Sequence, residues 1–171
     1  EEYDPEWPLP KLFRLKKGGK INTGIFEGAT INTPSMLATE DYIDALEWAQ
    51  SIGGRKAMFE RADANAKLVK DWIEATPWLR NMVADPAKQT NTGVCFVFQG
   101  DWYDSLSEED KAGVPKKIVK LLEDRDVGYD FNGYRDAPPS LRIWCGGTVE
   151  QEDLKRLLPW IEWAYEQVKN G

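Results

Sequence analysis

The sequence predicts an α+β fold, a mainly antiparallel sheet with helices on one face, and three observations carry that prediction. Val94-Cys95-Phe96-Val97-Phe98 is apolar throughout, as a central covered strand is. From Ser140 the residues alternate, so that Leu141, Ile143 and Cys145 share one face and Arg142 and Trp144 the other. Long stretches on either side carry apolar residues at helical spacing instead, and this interleaving suits two packed layers.

Taken in order, Glu1 to Thr30 reads as an extended connector. It has early prolines, a Lys17-Gly18-Gly19-Lys20 break and no sustained period, and its Lys11, Arg14, Lys16, Lys17 and Lys20 form a basic cluster best read as solvated surface. Thr33-Pro34 predicts a helix start, with Thr33 as N-cap and proline at the first helical position. That helix runs to Gly53-Gly54 with Leu37, Ile43, Leu46 and Trp48 on its apolar surface. A second helix follows from Arg55 to Ala75, its face traced by Met58, Phe59, Ala62, Ala66, Val69, Trp72 and Ile73, and Thr76-Pro77 stops it. Strands are expected at Trp78 to Val83, Gly93 to Gln99, Gly128 to Phe131 and Ser140 to Cys145. Between them, Ser107 to Arg125 is helical, with Ile118, Leu121 and Leu122 on one stripe and Pro115 suggesting a start close to it. Thr148 and Gln151 form a capping box for a last helix that turns Leu154, Leu157, Leu158, Ile161, Tyr165 and Val168 to the sheet.

Composition narrows the function classes. With 42% hydrophobic residues, eight Trp and six each of Tyr and Phe, the 171-residue chain is globular and buries a real core. A net charge of -7 argues against a general nucleic-acid role, which needs a basic surface. The chain has no histidine, which excludes Ser-His-Asp and Cys-His chemistry and the usual zinc sites within it. Cys95 and Cys145 lack metal-ligand spacing and read as two buried thiols of a cytoplasmic protein, and no metal site is expected. No apolar run approaches the ~20 residues of a membrane span, and nothing at the start looks like a signal peptide.

The chemistry concentrates between Gly133 and Gly147, where Arg135 and Arg142 flank the stiff Pro138-Pro139 joint. Arg142, on a strand face away from the apolar layer and beside Trp144, suits bidentate capture of a carboxylate; pairing with a nearby Asp or Glu fits the spacing equally. Arg135 is either a second anion site or a surface partner of Asp136. Asn32 and Thr33 precede a helix N-terminus, where free N–H groups attract anions, although most such starts are only caps. Trp72, Trp160 and Trp163 read as core residues, and no lysine is singled out.

The run GYRDAPPSLRIWCGGTVE at Gly133 to Glu150, with WPLPKLFRLKKGGK from Trp7 and INTPSML from Ile31, resembles the phosphoserine aminotransferases, in the branch shared by alphaproteobacteria and methanogenic archaea. The likeness extends over essentially the whole chain and corresponds to roughly the C-terminal half of such an enzyme, a class V, fold type I pyridoxal-phosphate aminotransferase. It implies that residues 1–53 end the large cofactor-binding domain and connect it to a small domain at 54–171. It implies that the Schiff-base lysine lies upstream, so that the chain is one piece of a longer polypeptide and has no catalytic residue of its own. It assigns Arg142 to the substrate α-carboxylate and Arg135 to the substrate phosphate. Asn32 and Thr33 are assigned to the phosphate of pyridoxal phosphate on the neighbouring subunit of a homodimer. Tyr134 stands where much of the wider family has histidine; a phenol carries no charge at neutral pH, which weakens that contact to the phosphate. The implied reaction exchanges an amino group between glutamate and 3-phosphohydroxypyruvate, giving phosphoserine and 2-oxoglutarate in serine biosynthesis. The alternative is a noncatalytic anion-binding or dimerisation module.

Overall fold

The computed structural model describes residues 7, 8, 10 and 13–171. The beginning of the expected connector, with Lys11, lies outside the described residues. The chain forms two compact units, the first ending at Trp48 and the second spanning Ala49–Gly171.

In the first unit a two-residue hairpin joins β1 (Lys16–Lys17) to β2 (Lys20–Ile21), where a plain extended connector was expected. Gly18 and Gly19 both have positive φ, 60° and 75°, and a tight turn of this hand requires that of both central residues. A 3₁₀ turn at Thr23–Phe26 follows, and then helix α1 (Met36–Ser51), whose residues from Ala49 on belong to the second unit. The helix begins later than Thr33-Pro34 predicted. The Ser35 hydroxyl accepts from Ala38 N–H at 3.4 Å and caps it, and Thr33, disfavoured from helical backbone by the proline after it, stays outside.

The second unit contains α2 (Gly54–Ala75), β3 (Leu79–Asn81), β4 (Gly93–Phe98), the single turn α3 (Asp101–Asp104), α4 (Glu108–Glu123), β5 (Ser140–Trp144) and α5 (Gln151–Asn170). The three strands form an antiparallel sheet in the order β3-β4-β5. Register places Leu79 opposite Phe98, Phe96 opposite Leu141 and Val94 opposite Ile143, so these side chains share one face. That face is the core. Val69 and Ile73 of α2, Ile118 and Leu122 of α4 and Leu154, Leu158, Ile161 and Tyr165 of α5 cover it and are buried. The helices therefore lie on one face of a mainly antiparallel sheet, as expected from sequence. Stacked on Tyr165 at 3.7 Å between ring centroids, Trp78 closes one edge of the core.

Four local expectations are corrected. Pro115 lies inside α4 and does not start it: Ser107 caps the helix by accepting from Asp110 N–H at 3.1 Å. A proline cannot donate to the carbonyl four residues back, and that carbonyl, on Lys111, accepts instead from the Tyr103 hydroxyl at 3.4 Å. Thr148 makes no capping box, because Glu150 is the N-cap and Val149 N–H turns back to Gly146 O. Phe59 is exposed, while Asn65 on the same helix is buried. Gly128 to Phe131 is no strand. Asp130 has φ 60°, which breaks extended backbone, and pairing with β5 is confined to a bridge from Asn132 to Leu141.

Candidate functional site: the open face of the sheet

The second face of the sheet carries Arg80, Gly93, Cys95, Val97, Ser140, Arg142 and Trp144, with Arg142 registered against Cys95 and Trp144 against Gly93. Trp144 is 60% exposed, and Arg80 is exposed too. Val97 and Ser140, at one end of this face, are buried, and the segment before β5 runs beside that strand, with Gly133 N–H donating to Ser140 O and Arg142 N–H to Phe131 O. Cys95 is half-buried on this face, so the two thiols are not alike as the sequence suggested; Cys145 alone is fully buried, on the core side. Burial raises the Cys95 pKa and the Arg142 charge opposes the rise, whereas burial pushes the Cys145 thiol up to about 11.

Arg142 is the best-organised charge on this surface, its side chain 27% exposed. Its Nε–H donates to Asn132 O at 3.0 Å and its Nη2–H to Asp130 Oδ2 at 2.7 Å. Nε and Nη2 are the nitrogens so engaged, and Nη1 makes neither bond. The ring of Tyr134 lies against the guanidinium, 4.7 Å from its Cζ to the ring centroid. The Arg142 pKa is raised, first by the Asp130 hydrogen bond and to a smaller extent by Tyr134. The pairing foreseen as an alternative is thus present.

The structure brings Tyr134 to Arg142 and leaves Arg135 apart. The Arg135 side chain is 92% exposed, with Nε 3.5 Å from Asp136 Oδ1, a contact of little energetic weight at such exposure. Arg135 nevertheless borders a concavity of about 520 Å³ with Lys116 of α4 and the Pro138-Pro139 joint. Asn32 and Thr33 belong to the first unit. They line an open concavity with Thr30, Ile31 and Pro34 just before α1, and both are exposed. An amide and a hydroxyl facing solvent ahead of a helix N-terminus are donors of the kind a phosphate takes.

Sequence reasoning missed the residues that fix the far end of β5. Arg61 Nε–H donates to Gly147 O at 2.7 Å while Nη2 pairs with Glu150, and Asn65 Nδ2–H donates to Val149 O at 2.9 Å. A Cβ on Gly147 would sit 2.8 Å from Met58 O, so only glycine admits the approach of α2 to this turn. The signal was present as two polar residues, four apart, on the apolar stripe of α2. It also missed Asp130, whose positive φ no periodicity reveals. Among the described residues no group of His, Cys, Asp or Glu is placed to hold a metal ion, and no helix is long and apolar enough to cross a membrane.

The antiparallel sheet with helices on one face is a fold shared with fold type I aminotransferases of known structure. The phosphoserine aminotransferase of Bacillus circulans subsp. alkalophilus superposes with a TM-score of 0.67 at 22% identity, over 85% of this chain and 37% of that one. The pyridoxal-phosphate-bound phosphoserine aminotransferase from Trichomonas vaginalis gives 0.65 at 20% identity, over 81% and 36%. Sequence comparison is more specific: the phosphoserine aminotransferases of Methanosarcina mazei and Methanosarcina barkeri are each 48% identical over 169 residues, 99% of this chain. The chain belongs to the phosphoserine aminotransferase family and corresponds to a C-terminal part of it, spanning 43% of the length of these relatives. No protein-family model matches it.

Proposed function

We propose that this chain supplies the substrate-anion sites of a phosphoserine aminotransferase, a pyridoxal-phosphate enzyme that moves an amino group between glutamate and 3-phosphohydroxypyruvate. The observation that carries the reading is Arg142, held through Nε and Nη2 with Nη1 in neither bond, in a chain 48% identical to enzymes of that name. When bound, pyridoxal phosphate supplies the electron sink for amino-group exchange. The residues of this chain orient anions around that chemistry. Arg142 takes the α-carboxylate common to glutamate and phosphoserine, with the Tyr134 ring limiting the guanidinium's rotation. Arg135, on the loop before β5, takes the phosphate, which explains selection of a doubly anionic substrate.

Asn32 and Thr33 donate to the cofactor phosphate across the interface of a homodimer, with 1–53 completing the large domain and 54–171 forming the small one. The enzyme is cytoplasmic and belongs to serine biosynthesis. It needs neither nucleic acid nor membrane.

The test is kinetic and uses the complete enzyme. Arg142→Ala lowers kcat/KM for glutamate and phosphoserine alike, on the order of a hundredfold or more for loss of a bidentate charged pair. Arg135→Ala acts mainly on phosphoserine. Equal effects of both changes on both substrates would refute the division between the two arginines.

A further inference from the structure

Asp130 is the one acidic residue hydrogen-bonded to Arg142 among the described residues, and three observations set it apart from an ordinary surface partner. Its Oδ2 accepts from Nη2 at 2.7 Å, closer than the 3.5 Å between Arg135 and Asp136. Its backbone has φ 60°, in the left-handed region where a non-glycine residue carries a cost, although Asp bears it better than most. The neighbouring Phe131 O and Asn132 O are both engaged by Arg142, through its backbone N–H at 2.9 Å and its Nε–H at 3.0 Å. The turn at Asp130 is therefore tied to Arg142 along both main chain and side chain. An arginine side chain has several rotatable bonds, and ordering it at the moment of binding weakens the anion it captures.

We propose that Asp130 is a positioning residue for substrate: with Asn132 O it holds Nε and Nη2 of Arg142 and so orients the guanidinium, Nη1 included, for the α-carboxylate. This rests on the reading of Arg142 as the carboxylate site. The left-handed turn has a function under this proposal, since it brings a carboxylate to Nη2 while Nη1 takes no part in that bond. Binding needs no exchange of partners at Arg142, because the Asp130 bond persists alongside the substrate.

The experiment uses the complete enzyme and measures KM and kcat for glutamate and for phosphoserine in four forms: wild type, Asp130→Asn, Arg142→Ala and the double variant. Asn is the chosen replacement because it tolerates positive φ as Asp does while removing the charge. KM for both substrates is expected to rise by the same factor, about tenfold, with kcat within about twofold, as loss of one charge-assisted hydrogen bond would produce. In the Arg142→Ala background the Asp130 change is expected to add nothing. An unchanged KM overturns the proposal. So does a lowered KM, which would make Asp130 a competitor of the substrate, and so does an effect that persists undiminished without Arg142, which would mark a role in the fold alone. If Arg142→Ala itself leaves glutamate kinetics intact, the underlying reading is what has failed, and that control shows it separately. Asp130→Gly, equally suited to φ 60°, replaces Asp130→Asn if the latter does not fold, with the same outcomes expected.

Discussion

The two faces of the β3-β4-β5 sheet are built from alternate residues of the same strands and obey different physics. On one, Phe96 and Ile143 are almost wholly removed from water and packed beneath α2, α4 and α5. On the other, one residue along, Arg142 is held by hydrogen bonds to Asp130 and Asn132, and Trp144 faces outward. The core face derives its stability from apolar area, which is non-directional and tolerant of detail. The open face contributes little area, and what it has is geometry: an edge of a guanidinium, a ring against its plane, a half-buried thiol. A substitution on the first face should be read in stability and one on the second in function.

The largest expected effect tests the first half of that contrast. Phe96→Ala is expected to cost about 3–5 kcal/mol of stability in urea unfolding of the chain, because the cavity would open at the centre of the sheet. Trp144→Ala, a truncation of similar size on the open face, is expected to stay within about 0.5 kcal/mol. Comparable losses at the two positions would show that the open face is part of the stabilising core.

Ser140 sharpens the comparison, because it lies on the open face yet is buried, and its hydroxyl has no hydrogen-bond partner. Its Oγ lies against Gly133, where any Cβ would clash with it. Desolvating an unpaired hydroxyl costs about 1–3 kcal/mol, so Ser140→Ala is expected to raise stability by about 1 kcal/mol in the same unfolding assay. A loss would mean that the hydroxyl finds a partner.

The smallest effect is a pH dependence. The Cys145 thiol, ordinarily near 9.0, is pushed up to about 11 by burial, so the folded chain holds its proton where the unfolded chain releases it. The folded state then binds more protons, and stability present below pH 9.0 declines as pH rises toward 11. Tyr103 and Tyr165 are raised by burial as well and add to the decline at the upper end of that range. Cys145→Ala is expected to flatten the thermal midpoint between these limits without abolishing the slope. An unchanged profile would place the dependence on the tyrosines. The same change at Cys95, on the open face, is expected to have the lesser effect.

Much of this was legible from the amino-acid sequence. The alternation around Arg142 placed it on the face opposite Leu141 and Ile143, and that is where it lies, because a strand's period of two is a property of the chain itself. The stripes of α2, α4 and α5 were equally readable, since a helix exposes its pattern at fixed spacing. The motif at Ile31 to Leu37 and the run from Gly133 to Glu150 carried the family, and the 48% identity to the Methanosarcina enzymes agrees with that reading. Caps and breaks were legible only in part. Thr33 and Ser35 both offer hydroxyls, and Pro115 is tolerated inside α4 because Tyr103, from a different element, reaches the carbonyl it leaves free.

Tertiary structure alone decided how Arg142 is held. The sequence supplied an arginine and many acids, and nothing in its spacing selects Asp130, twelve residues away, over Asp136, which is closer in sequence. That choice depends on a left-handed turn and on the bridge from Asn132 to Leu141, which together set the segment before β5 alongside the strand. Local periodicity fixes which face a side chain occupies, because it follows from backbone geometry. Which nitrogens of the guanidinium are held is fixed by groups brought together from separate parts of the chain, and only folding brings them there.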